Sequence, residues 1–247
     1  MPRNLKYYDG LLHALFDWRP MRHVQMLTLL LVTWFSLSAF TVAAIESTTE
    51  DQGRSEFVKL FNGKDLAGWV VEGTKEYRLS GKTKPVWTVE DGVIHCAGVG
   101  YGFLRYDKEF SDFILKFEFL SAPKCNSGVG IRHVKFTGPK ESRPSNSGYE
   151  IQLLDDHEKA PDDHSTGSLY RHIAPTENAI KPAGSWNDIT ITCRGPHIKI
   201  VLNGVTVQDV DQSKVRSVAN KPLSGYVSLQ NHGGRVEFRN VQLKEIP

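Results

Sequence analysis

The sequence predicts an all-β antiparallel sandwich. Three observations carry this: short runs that alternate apolar and polar residues, Asp-Gly and Asn-Gly steps between them, and no amphipathic helical spacing in the body of the chain. In chain order, Val86-Trp87-Thr88-Val89 and Val93-Ile94-His95-Cys96 flank Asp91-Gly92, a strong hairpin signal. Residues 113–119 alternate so that Phe113, Leu115, Phe117 and Phe119 share one face. Residues 128–133, 149–154, 188–194 and 198–202 read as further strands, and Asn203-Gly204 turns the last of them into 205–207. Residues 225–230 and 235–243 close a single domain. About a dozen short strands make a two-layer sandwich the economical solution. The polar stretch 155–168, rich in Asp and His, is long enough to be a functional loop.

Composition is that of an ordinary globular chain: 247 residues, 40% hydrophobic, 23% charged. It excludes a disordered chain, a collagen-like repeat and a multi-pass membrane protein. Thirty basic residues face 28 acidic ones. Without the first 44 residues the balance is neutral, which gives no electrostatic reason to expect nucleic acid or an anionic membrane as partner.

Residues 1–44 read as an export signal. Arg19 and Arg22 precede an apolar run over 24–44 that ends in Val42-Ala43-Ala44, small residues suited to signal peptidase. Met21 is an alternative start, and an uncleaved N-terminal anchor is the other reading of the run. The expected products are a periplasmic or secreted protein, a polar linker over 45–56 and the sandwich over 57–247. The three cysteines, Cys96, Cys125 and Cys193, match no metal-binding spacing and read as small buried apolar residues.

Three constellations could carry chemistry. In Tyr149-Glu150-Ile151-Gln152-Leu153-Leu154-Asp155, alternation sends Tyr149, Ile151 and Leu153 to the core and Glu150 and Gln152 to the other face. A bulge near Leu154 would bring Asp155 to that face. Carboxylates beside an amide suit acid–base work on a sugar. The spacing resembles the E-x-D-x-x-E strand of laminarinase-type glycoside hydrolases, with an amide in place of the middle carboxylate. In Asn126-Ser127-Gly128-Val129-Gly130-Ile131-Arg132, alternation puts Gly128, Gly130 and Arg132 opposite Val129 and Ile131. The two glycines leave a depression, and Arg132 could fork bonds to a carbonyl or pair with Glu150. The third set is dispersed: His164, Tyr170, His172 and His232, with Lys116 and Glu118. His133, His157 and His197 read as surface or capping residues.

The catalytic candidates are therefore Glu150, Arg132, His172 and His232, and the substrate-binding candidates Asn126, Gln152, Asp155, Tyr170 and Lys116. Glu150 is a general base or a metal ligand, with His172 and His232 as alternative bases. No cofactor is specified. A divalent metal ion stays open, on Glu150 or on Asp162, Asp163 and His164.

Residues 57–69 (FVKLFNGKDLAGW) resemble the opening of the 3-keto-disaccharide hydrolase family. So, in order, do Trp87 to Ile94, Asn126 to Arg132, Tyr149 to Asp155, Gly167 to Tyr170, Trp186 to Asp188, Leu202 to Gly204, Gly225 to Gly233 and Val236 to Val241. The resemblance implies a concanavalin A-like jelly roll, an exported protein and a 3-keto glycoside as substrate. A ketone at C3 acidifies the C2 hydrogen, so a base can remove it, a cationic group or metal can hold the enolate, and an acid can assist departure of the C1 oxygen before water adds. The rival expectation is a non-catalytic carbohydrate-binding module of the same fold.

Overall fold

Fifteen strands are the main elements of the computed structural model, which describes residues 56–247. The export-signal reading, and the linker up to residue 55, fall outside the described residues. The strands are β1 (Val58–Lys59), β2 (Trp69–Gly73), β3 (Glu76–Leu79), β4 (Lys82–Pro85), β5 (Trp87–Glu90), β6 (Val93–Cys96), β7 (Gly102–Phe110) and β8 (Phe113–Ser121). They continue with β9 (Asn126–His133), β10 (Tyr149–Leu154), β11 (Trp186–Arg194), β12 (His197–Leu202), β13 (Val205–Asp211), β14 (Gly225–Asn231) and β15 (Val236–Glu245). One short helix, α1 (Pro144–Ser147), and two single 3₁₀ turns complete the elements. Among the described residues no helix is long and apolar enough to cross a membrane.

All pairings are antiparallel. The larger sheet runs β13-β12-β11-β8-β15-β6-β5, with β1 on β15; the smaller runs β10-β9-β14-β7-β2; β3 and β4 form a separate hairpin. The all-β antiparallel sandwich is what the alternation predicts. Both Gly-containing turns behave as expected: Asp91 and Gly92, and Asn203 and Gly204, all have positive φ, which matches the twist of the strands they join.

The core lies between the sheets. Phe113, Leu115, Phe117 and Phe119 of β8 are buried against it, as are Tyr149, Ile151 and Leu153 of β10, Val129 and Ile131 of β9 and Leu229 of β14. Burial of so many large apolar side chains, at about 1.5–3 kcal/mol each, drives the association of the two layers. The sequence reading missed β7, whose Arg105-Tyr106-Asp107-Lys108-Glu109 looks like a solvated run. In the fold, Arg105 is buried: its Nε donates to Glu72 Oε1 on β2 at 2.6 Å, and Nη1 donates to Asp107 Oδ1 at 2.8 Å. Pairing neutralises the buried cation, so a charged residue is tolerated in a middle strand. The three cysteines are free and buried, as the spacing suggests. Loss of solvent pushes each thiol up to about 12.

Candidate functional site

The outward face of the smaller sheet carries a cleft of about 580 Å³. Its floor is built by alternation. Glu150 and Gln152 project from β10, Asn126 from the start of β9 and Gln230 from β14, all opposite the core residues between them. Gly128 pairs with Gln152 and lies diagonally from Glu150, whose own partner is Gly130; a Cβ on Gly128 would stand 3.1 Å from Glu150 Cγ. That glycine is what lets the carboxylate lie flat on the sheet.

The walls come from loops. Segment 165–170 runs along the free edge of β10: Gly167 N–H donates to Gln152 O, Gln152 N–H to Ser168 O and Tyr170 N–H to Glu150 O. This covers the edge and stands Tyr170 and Arg171 beside Glu150. On the opposite side, Tyr101 meets His232 edge to face at 5.2 Å. Over the top runs the segment that leads into α1. Arg143 precedes Pro144, which holds it extended (φ −65°, ψ 141°) and starts the helix at its first position. The Arg143 guanidinium consequently lies over the Tyr101 ring at 4.8 Å, and Ser145 reaches the Glu150 carboxylate.

Glu150 is 5% exposed, and burial pushes its pKa above the usual carboxylate range. Gln230 Nε2 donates to its Oε1 at 2.7 Å, and Ser145, Arg171 and Arg143 pull in the opposite direction without prevailing. A carboxyl desolvated in this way and reachable from a cleft is a stronger base than an exposed one and is suited to take a proton from a bound ligand. Burial lowers the His232 pKa, and Arg143 adds to the effect. Burial raises the Tyr101 phenol to about 12, with Glu150 contributing.

Of the residues expected from sequence, the fold brings together Glu150, Gln152, Asn126, Tyr170 and His232. Arg132 is elsewhere. Its φ of +51° breaks the alternation of β9, and the β14 register slips opposite it between Tyr226 and Ser228. Its side chain turns under the sheet and is fully buried. Nε and Nη2 donate to Ser111 O, Nη1 donates to Gly195 O, and Nη2 reaches Asp112 Oδ1 at 3.1 Å. Arg132 therefore ties two turns together, and the expectation that it faces the ligand is corrected. The same slip puts His133 on the outer side, where it is buried instead of capping the surface. Its Nε2 lies 2.8 Å from Ser228 Oγ.

Asp155 follows no bulge, because β9 and β10 stay in register through Leu154 and Asn126. Its Oδ2 accepts from Lys124 N–H at 2.8 Å, which closes a turn outside the cleft. Lys116 stands on β8 of the other sheet, over the Phe57 ring, and its companion Glu118 is held by Arg239 and Asn240. His172 packs behind the wall against the Ser145 backbone, with a pKa lowered first by burial and then by Lys221. One potential ligand atom from each of Asp162, Asp163 and His164 lies within 4.8 Å of the other two. Asp163 Oδ1 is committed to His164 Nδ1, and Asp162 Oδ1 to the His164 N–H and Ser165 hydroxyl. Sequence reasoning missed Arg143, Ser145, Arg171 and Tyr101. The Arg143-Pro144 step and the glycines at 98, 100 and 102 were the available signals, marking a helix start and a close backbone approach.

The two-sheet antiparallel sandwich is a fold shared with galectin-like proteins. A Bacillus subtilis protein of unknown function with a galectin-like fold matches with a TM-score of 0.52 at 13% identity, over 77% of this chain and 94% of that one, which shows the fold alone. The chain belongs to the 3-keto-alpha-glucoside-1,2-lyase-like domain family, whose model matches residues 56–244. It is similar to a 3-keto-disaccharide hydrolase of Bacteroides thetaiotaomicron, at 25% identity over 85% of this chain and 84% of that protein. Among solved structures it is similar to a presumptive glycosyl hydrolase of Parabacteroides distasonis, with 27% identity and a TM-score of 0.61, covering 77% of this chain and 94% of that one.

Proposed function

We propose that this protein is an exported enzyme that cleaves 3-keto glycosides by elimination followed by hydration. One observation carries the reading: a single buried carboxylate, Glu150, lies on the floor of an open cleft beneath an arginine that no carboxylate of the described residues pairs with. Glu150 takes the C2 proton, and Arg143 faces the oxygen of the C3 carbonyl as negative charge develops there. The C1–O bond breaks, and the departing oxygen takes a proton from the Tyr101 phenol, which burial keeps protonated. Water then adds across the enone: its hydroxyl goes to C1 and its proton to the Tyr101 phenolate, while Glu150 returns its proton to C2, for net hydrolysis with both groups restored. His232, kept neutral by burial and by Arg143, supports the Tyr101 ring. The names of the relatives support this substrate class.

A sugar-binding module without turnover is the second reading, favoured by the two tyrosines in the walls. Each already carries a guanidinium over one face, Arg143 on Tyr101 and Arg171 on Tyr170 at 5.0 Å. Stacking faces are thus partly taken, which weighs for the enzyme. Incubation with 3-keto-lactose or 3-keto-trehalose tests the choice. Release of 3-keto-glucose by the wild type, lost in Glu150→Gln while ligand affinity stays, supports the enzyme; binding without release supports the module. For export, the intact mass of natively produced protein is the check, and a mass retaining residues 21–44 means an anchor.

A further inference from the structure

Lys221 is a half-buried ammonium outside the cleft that the mechanism above does not use. Its Nζ donates to three main-chain carbonyls of the segment over Glu150: Ser145 O at 2.9 Å, Asn146 O at 3.3 Å and Gly148 O at 2.5 Å. These belong to α1 and the residue after it, where helical carbonyls have no partner of their own. Four residues without a side-chain cap do not make a stable helix alone. A cation at this end satisfies the carbonyls and favours the helix dipole.

The ammonium is itself fixed. Lys221 N–H donates to Val218 O, its carbonyl accepts from Gln212 Nε2 at 2.9 Å, and its Nζ lies 5.3 Å from the Tyr149 ring centroid. Tyr149 is a core residue adjacent to Glu150. One side chain thereby touches both the strand that carries Glu150 and the segment that covers it. The other end of that segment is pinned too: Phe136 N–H donates to Glu72 Oε2 at 2.8 Å, and Glu72 is fastened to Arg105. Where the segment rejoins β10, Gly148 passes so close to Arg132 that a Cβ would sit 2.4 Å from its carbonyl oxygen.

We propose that Lys221 is a positioning residue, which sets the height and register of Arg143 and Ser145 over Glu150. The inference rests on the reading of the cleft as a site that cleaves 3-keto glycosides. Desolvation lowers the Lys221 pKa, which shows how far the ammonium has left water to make these bonds. Its charge also depresses the pKa of His172, which provides a reporter independent of turnover.

The test compares wild type, Lys221→Met and Lys221→Arg on 3-keto-lactose, with melting curves and NMR titration of His172. The expected result is a kcat about ten- to a hundredfold lower in Lys221→Met, the size that displacement of catalytic groups produces, with KM little changed. Lys221→Arg, which keeps a cationic donor, recovers most of the rate. His172 titrates higher in Lys221→Met and unchanged in Lys221→Arg. Turnover of Lys221→Met within twofold of wild type, or a His172 titration that does not move, overturns the inference. If Lys221→Met does not fold, Ser145→Ala carries the test, since Ser145 is the contact through which the segment reaches Glu150; turnover within twofold then overturns it. A wild type without turnover overturns the functional reading itself, and the inference falls with it.

Discussion

Replacing Arg132 by Met separates a structural tie from a catalytic group. The side chain is fully buried, so Met keeps most of its volume and removes only the guanidinium. Two carbonyls then lose their donors: Ser111 O, which accepts at 3.0 and 2.8 Å, and Gly195 O, at 2.7 Å. Each costs about 1–3 kcal/mol when left unsatisfied. Asp112 adds little, because its Oδ1 keeps the Gly195 N–H and its side chain is 29% exposed. The sum is about 4 kcal/mol, or about 10 °C in melting temperature for a domain of this size. The assay pairs thermal and denaturant unfolding with turnover of a 3-keto disaccharide, measured well below the new midpoint. The expected outcome is a large loss of stability with turnover near that of wild type. A variant that melts like wild type and loses turnover more than about tenfold would refute the reasoning, for the guanidinium would then serve the ligand.

Glu150→Gln should lose at least about a hundredfold in turnover. A carboxyl whose folded pKa is raised takes stability from the protein as pH rises through that pKa. The Gln variant should therefore match or exceed wild-type stability at neutral pH and lose this pH dependence, which denaturation at several pH values reads out. Wild-type turnover should rise as pH climbs through the same titration, since the ionised form is the base. His133, held down to about 4 by burial, should have the opposite effect on stability. Its contribution is complete above about 6.5 and falls away with acidification towards 4, by about 3 kcal/mol, and His133→Asn should flatten that part of the profile. Gly128→Ala places a methyl group 3.1–3.2 Å from Glu150 Cγ and Oε1 and should cut kcat about tenfold through displacement of the carboxylate, with a modest change in melting temperature.

Period-two alternation made the sandwich legible, and it also placed Glu150 and Gln152 correctly, because β10 keeps strict register with β9. The same rule failed six residues into β9. A positive φ at Arg132 rotates the chain by one residue, and no side-chain type at that position signals it, since positive φ in a non-glycine residue is set by the turns it contacts. Asp155 and Lys116 failed for a simpler reason: spacing along the chain says nothing of which sheet, or which side of a turn, a polar group reaches. Arg143, Arg171 and Tyr101 sit on loops and Ser145 in the short α1, in segments whose path is fixed by distant partners such as Lys221 and Glu72, so only the assembled fold brings them to the carboxylate.

The free thiols have a practical consequence. Since Cys96, Cys125 and Cys193 are all buried and none is bridged, the sandwich holds together by packing and hydrogen bonds without a covalent cross-link. Its native state is therefore indifferent to the redox poise of its surroundings, and nothing in its folding waits for an oxidase or an isomerase. The domain should mature identically in a reducing and an oxidising compartment. Protein made in a bacterial cytosol without its first 44 residues thus serves the unfolding and turnover measurements above, while the intact-mass check of export needs the natively produced chain.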